Sequence, residues 1–167
     1  MRFSVLLFVA QISWMFQAQT TIALDTSHQR IILQQHNIER ALLKIPALSW
    51  NNKIAAYAEK WALKLATDDA GIVHRDTHLY GENITWIGGL DDLKVDVKDG
   101  VLSWTEEKQY FKYKPIGDGW AKAGHYTQVI WKKTTEVGCG CAISESGNFF
   151  LVCNYNPHGN IVGEKPY

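Results

Sequence analysis

Four segments of this 167-residue chain carry side chains suited to metal binding or acid–base chemistry: His74 in "GIVHRD", Glu82 in "YGENI", Glu106 or Glu107 in "SWTEEKQYF", and His125 in "GHYTQ". A neutral imidazole can ligate a divalent ion or carry a proton near neutral pH, and a neighbouring carboxylate can orient it. His74 and His125 sit where a loop meets a regular element, whereas His28 and His36 fall near the start and in the middle of the first expected helix. Each lone histidine has the plainer alternative of a hydrogen-bonded surface or core residue. No local motif such as HExxH links the segments, so only the fold can assemble them.

The elements that must do so read as helices first and strands later. From Ser27, a candidate N-cap, Ile31, Ile38, Leu42 and Ile45 form a helical stripe that Pro46 stops. Asn51 opens a second helix with Ile54, Ala58, Trp61, Ala62 and Leu65 on one face. A third is expected over 92–109, with Leu93, Val97, Val101 and Trp104 on one side and Gly100 weakening it. "NITWI" (83–87), "TQVIWKK" (127–133), "EVGCGCAI" (136–143) and "NFFLVCNY" (148–155) are short and rich in β-branched or aromatic residues, which predicts strands. This order predicts an α+β domain, helices packed on an antiparallel sheet. No repeat, low-complexity tract or linker marks a domain boundary.

"SESGN" (144–148) reads as a hairpin turn, which sets Cys139 opposite Cys153. Cα atoms facing each other at a narrow antiparallel pair lie roughly 4.5 Å apart, within reach of a disulfide. That bridge is predicted. Cys141, two residues along on the same face, is left over, either buried and inert or available for intermolecular pairing.

Arg2 precedes "FSVLLFVAQISWMF" and then "QAQTTIAL", with small residues at Thr21 and Ala23. This order predicts a signal peptide over 1–23 and a secreted, extracellular chain that begins near Leu24, the alternative being a buried N-terminal helix. The run is too short to be read as a membrane span. Lys plus Arg equals Asp plus Glu at 17 each, so nothing points to nucleic acid as a partner. The seven tryptophans fit a well-filled core or a ligand groove.

"HNIER", "LSWNNKIAAYAEKWA", "IVHRD", "YGENI", "SWTEEKQYF", "GHYTQVIWKKTTEVGCG" and "FFLVCNYNPHGNIVGEKPY" follow one another from His36 to the end, within a match that spans roughly residue 28 to the last residue. In this the chain resembles the CAP superfamily of cysteine-rich secretory, antigen 5 and pathogenesis-related 1 proteins, and within it the plant pathogenesis-related 1 group. The resemblance implies a three-layer α-β-α sandwich over 24–167. It implies a cavity in which His74, Glu82, Glu107 and His125 converge and in which Zn2+ or another divalent cation can sit. It implies sterol or lipid binding by an aromatic loop, here "YFKYKPIGDGW" (110–120), with Tyr110, Phe111, Tyr113 and Trp120 as contacts. These rings could equally pin the loop to the core. It also implies a C-terminal peptide, 157–167, released by cleavage between Asn156 and Pro157 and read by a receptor.

Where the resemblance leads one to expect six cysteines, Ala70, Gly117, Ala123 and Ser144 stand at four of those positions, and each absent bridge removes about 2 to 4 kcal/mol. Asn83-Ile84-Thr85 is an N-glycosylation sequon beside Glu82. The expected protein is a monomeric, extracellular (in a plant, apoplastic) defence protein without enzymatic activity. A metal-dependent hydrolase or protease is the alternative, in which two imidazoles with open positions activate water beside a carboxylate.

Overall fold

The computed structural model of the protein describes residues 20–22, 24–77, 79–88 and 97–167. The expected signal peptide therefore lies outside the described residues except for 20–22. The elements in order are β1 (Thr20–Ile22), α1 (Thr26–Leu42), β2 (Ser49–Trp50), α2 (Asn52–Asp68), β3 (Gly81–Ile87), α3 (Val97–Glu106), α4 (Gly124–Val129), β4 (Glu136–Ile143) and β5 (Phe149–Asn156). Single 3-10 turns follow α3 (Glu107–Tyr110) and precede α4 (Trp120–Ala123).

Helix ends are set by local chemistry. The N-cap of α1 is Asp25, two residues before the expected Ser27, because its carboxylate accepts from the backbone N–H groups of Ser27 and His28 at 2.9 Å each. The N-cap of α2 is Asn51, as its sequence suggests, with Oδ1 accepting from Lys53 N at 2.9 Å. Asp69 ends α2 in the left-handed region, at φ 47°. Its carboxylate accepts hydrogen bonds from Ser146 and Asn148, which ties the end of α2 to the β4–β5 turn.

The sheet is built on the long antiparallel strands β3, β5 and β4, with β5 in the centre. Strands β1 and β2 add short pairings to the outer edge of β4, antiparallel and parallel respectively. Both faces of β5 are buried, and its residues alternate between two apolar clusters. Phe149, Leu151, Cys153 and Tyr155 pack with Ile32 of α1, Val101 and Trp104 of α3 and Tyr126 and Val129 of α4. Phe150 and Val152 pack with Ala58, Ala62, Leu65 and Ala66 of α2. Helices thus cover both faces, giving the α-β-α sandwich.

The alternation in "GCGC" follows from this layering. A Cβ on Gly138 would lie 2.2 Å from the backbone of Ala55, and one on Gly140 would lie 2.3 Å from Cα of Glu59, so the absence of side chains lets α2 rest on β4. Cys139 and Cys141 belong instead to the α1/α3 cluster. Cys139 pairs with Cys153 and is bridged to it, with Cα atoms 4.1 Å apart. Cys141 is buried, and its thiol is pushed up to about 12, by burial first and then by the Glu59 charge.

The expected strand over 127–133 is not formed. Residues 124–129 are helical, and the chain then turns through Trp131 and Thr134 into β4. Val129, Ile130 and Trp131 are buried together, so the apolar run that resembles an inner strand is a short helix enclosed by its neighbours.

Candidate functional site: two clefts that share Trp120

Each histidine of the expected set is held by its own carboxylate. Glu82, on β3, accepts from His74 Nδ1 and from Arg75 N through Oε1, both at 3.0 Å, and from Asn154 Nδ2 through Oε2 at 3.3 Å. Burial pushes the Glu82 carboxyl up, but these hydrogen bonds and the His74 charge outweigh it and hold the group below its ordinary value. Glu107, the first residue of the turn after α3, accepts from His125 Nδ1 at 2.6 Å, and its other oxygen takes the backbone N–H of His125 at 2.9 Å and of Tyr126 at 3.2 Å. One side chain therefore caps α4 and orients the imidazole on it. Trp104 stacks on His125, with ring centroids 6.1 Å apart.

A carboxylate only accepts, so in both pairs Nδ1 carries a hydrogen, and Nε2 is the ring nitrogen turned away from the carboxylate. His74, His125 and Glu82 line one cleft of about 380 Å³ with Arg75, Thr77, Asn83, Trp120 and Asn160, while Glu107 stands behind His125. Of the Glu106/Glu107 alternatives, Glu107 is the one placed there. Arg75, which the sequence reading passed over although it adjoins His74, spreads its guanidinium 3.6 Å over the Tyr57 ring and donates to Tyr57 O at 2.7 Å.

A divalent cation in this cleft would be held by His74 and His125, each of which has a carboxylate hydrogen-bonded to Nδ1. Among the described residues no group of three or more His, Cys, Asp or Glu side chains is placed to hold a metal ion. His74 is 56% exposed and Glu82 9%, so the carboxylate is fixed and its imidazole faces solvent.

Asn83 corrects the sequence reading. It is 1% exposed, and its Nδ2 donates to His125 O and Tyr155 Oη, both at 3.1 Å. A glycan on that nitrogen is incompatible with these bonds. Asn83 instead heads a buried relay. Tyr155 Oη bonds His36 Nε2 at 2.8 Å, and His36 Nδ1 donates to Ile32 O at 2.8 Å.

A second cleft, of about 220 Å³, also has Trp120 in its lining. Tyr110, Phe111, Pro115, Ile116, Trp120 and Ala123 supply its apolar wall. Three of the four expected lipid contacts therefore line one cleft. Tyr113 does not. It packs on Tyr167, with centroids 4.8 Å apart, under the Lys165 ammonium at 4.5 Å. Phe111 also packs edge-to-face on Tyr126, with centroids 5.4 Å apart. Both readings of the aromatic loop thus have residues: Tyr110 (58% exposed) and Trp120 (37% exposed) face the opening, while Phe111 and Tyr113 pin the loop.

The C-terminal segment braces these clefts. Ile116 N donates to Glu164 O and Gly163 N to Ile116 O, both at 2.8 Å, and Lys132 N donates to Pro166 O at 2.7 Å. Asn160 accepts from Thr127 Oγ1 at 2.6 Å and donates to Gly124 O at 2.8 Å. Asn156, where cleavage is expected, ends β5, and its side chain donates to Glu136 at 2.9 Å. No helix among the described residues is long and apolar enough to cross a membrane.

Comparison with known proteins identifies the family and the fold. The family model for the cysteine-rich secretory protein family (CAP) matches residues 33–155. The chain is 37% identical over 140 residues to pathogenesis-related protein 1C of Nicotiana tabacum, covering 83% of this chain and 80% of that protein. It is 39% identical over 137 residues to pathogenesis-related protein PRMS of Zea mays, covering 81% and 80%. Among solved structures, BmVAL-1 superposes with a TM-score of 0.73 at 24% identity, covering 87% of this chain and 84% of that one. NaASP2, solved with Zn2+, gives 0.70 at 20% identity, covering 86% of each. The chain belongs to the CAP family of cysteine-rich secretory proteins, and its relatives include the plant pathogenesis-related 1 proteins.

Proposed function

We propose that this protein is an extracellular defence protein of the pathogenesis-related 1 kind that captures a sterol or related lipid without chemical turnover. The observation that carries this reading is the 220 Å³ cleft, where Tyr110, Trp120, Phe111, Pro115 and Ile116 offer apolar surface that is partly open to solvent. Rings with few rotatable bonds cover a flat apolar ligand at small entropic cost. The bonds from Ile116 to the C-terminal segment hold the cleft in shape before any ligand arrives.

The His/Glu cleft supports a separate role for a divalent cation, which would supply Lewis acidity at the mouth of that cleft. The residues of the chain present two Nε2 atoms and fix both rings through Glu82 and Glu107. This arrangement equally supports the hydrolase alternative, with water activated beside Glu82. The peptide-precursor reading rests on the course of 157–167, which leaves the sheet after β5 and exposes Val162 by 77%. In the folded protein the bond after Asn156 adjoins a paired strand end, so release needs local opening there.

Equilibrium binding of a labelled plant sterol to the purified protein and to Tyr110→Ala/Trp120→Ala tests the lipid reading. These two residues face the opening, so the fold survives their loss. Saturable binding that the double variant loses is the expected result. Absence of saturable binding by well-folded wild-type protein would refute sterol capture.

A further inference from the structure

Neutral lipid alone does not account for the charge around the aromatic cleft. Lys112, Lys114 and Lys122 all line it, against one carboxylate, Asp118. The chain is balanced overall, with 17 basic and 17 acidic side chains, yet the segment 108–122 holds Lys108, Lys112, Lys114 and Lys122 to the single Asp118. Lys108 is engaged by Glu39 at 3.0 Å, outside the cleft. Lys114 reaches only the backbone oxygen of Asp118, at 3.4 Å. Lys112 and Lys122 are exposed, and among the described residues neither has an ion-pair partner.

On the reading of this cleft as a lipid site, we propose that its preferred ligand is an anionic amphiphile, a sterol-like body that carries one strong-acid group such as a sulfate. The apolar body lies against Tyr110, Phe111, Pro115, Ile116 and Trp120, and the anion sits among Lys112, Lys114 and Lys122. The rings alone do not distinguish one end of a flat ligand from the other. The ammonium groups do, because an anion that leaves bulk water beside low-dielectric walls gains more from each positive charge. The cleft is concave and small, which suits one molecule better than a bilayer surface.

Cholesteryl sulfate, cholesterol, and sterol-free vesicles of phosphatidylcholine with phosphatidylserine are titrated separately against the purified protein at low and high salt. At low salt cholesteryl sulfate is expected to bind about tenfold tighter than cholesterol, the sum of three modest, partly exposed charge contacts. High salt narrows that ratio. In Lys112→Gln/Lys114→Gln/Lys122→Gln the ratio falls to about one, whereas Lys53→Gln/Lys60→Gln on α2 keeps it. Equal affinity for the two sterols, or a ratio that survives the triple variant, would overturn the anionic preference and leave sterol capture standing. Binding of neither sterol would overturn both. Lysine-dependent binding of the vesicles without preference for cholesteryl sulfate would replace the single-molecule ligand with a membrane surface.

Discussion

Tyr113 and Tyr167 lie 54 residues apart in sequence and touch twice: their rings pack at 4.8 Å, and the Tyr113 hydroxyl donates to the backbone oxygen of Tyr167. With the Ile116–Glu164, Gly163–Ile116 and Lys132–Pro166 backbone bonds, this contact makes the last eleven residues part of the aromatic loop's scaffold. The tail holds the loop around Gly117.

A chain that ends at Asn156 should lose at least about 3 kcal/mol, from three backbone hydrogen bonds at roughly 1 kcal/mol each. Its loop should become the first site of tryptic cleavage, at Lys112 or Lys122, since Pro115 protects the bond after Lys114. Thermal melts and limited proteolysis of the truncated and whole chains check this. Equal melting temperatures and equal cleavage patterns would show that the tail only rests on the loop.

Stability should also fall in mild acid because of His36. The ring is fully buried and hydrogen-bonded at both nitrogens in its neutral form, and burial lowers its pKa to about 4 from 6.5. In the unfolded chain His36 binds a proton below about pH 6.5, and in the folded chain only below about 4. Its contribution is therefore complete above pH 6.5 and is lost as pH falls towards 4, up to about 3 kcal/mol. Denaturant midpoints measured across this range should slope for the wild type and be flatter for His36→Gln. A slope that persists unchanged in the variant would assign the acid sensitivity to other groups.

Arg40 stands beside that relay as a buried cation bound by carbonyls. Nε donates to Pro46 O at 2.7 Å, one Nη to Val129 O and Trp131 O at 2.9 Å each, and the other to Thr134 O at 2.9 Å. Burial lowers the guanidinium to about 10, so it remains charged at neutral pH. It ties α1 to the chain that connects α4 and β4. Arg40→Met should cost about 3 to 5 kcal/mol, since the four carbonyls lose their donors inside the protein. A loss below about 1 kcal/mol in urea unfolding would mean that water replaces the guanidinium.

The long strands and the hairpin were legible because each rests on neighbours in sequence. "SESGN" sets the turn, and with it the facing of Cys139 and Cys153. The helix at 124–129 was not, because its cap is Glu107, eighteen residues before His125, whose N–H it accepts, and a local reading sees only the apolar run. Strands β1 and β2, of three and two residues, are too short to show a pattern. Burial of Asn83 depends on Tyr155 and His125, neither of which is near it in the chain. The His/Glu set was named only through the family resemblance, and its pairing as His74 with Glu82 and His125 with Glu107 came only from the packing of β3 and the turn after α3.

Glu107 offers the sharpest test of that pairing, because it serves α4 and His125 together. Glu107→Ala removes the acceptor for two backbone N–H groups and for His125 Nδ1, so it should lower stability by about 1 to 2 kcal/mol, the cost of a lost helix cap. Glu107→Gln keeps a side-chain oxygen and should restore most of that. Zinc affinity separates the two roles. If His125 Nε2 is a ligand that Glu107 orients, both variants should bind Zn2+ about 10- to 100-fold more weakly than wild type. The ratio between them should be small, since neither retains the carboxylate. Calorimetric titration of the three proteins with Zn2+ reads this directly. Unchanged affinity in both would confine Glu107 to capping the helix and leave His125 outside any metal site.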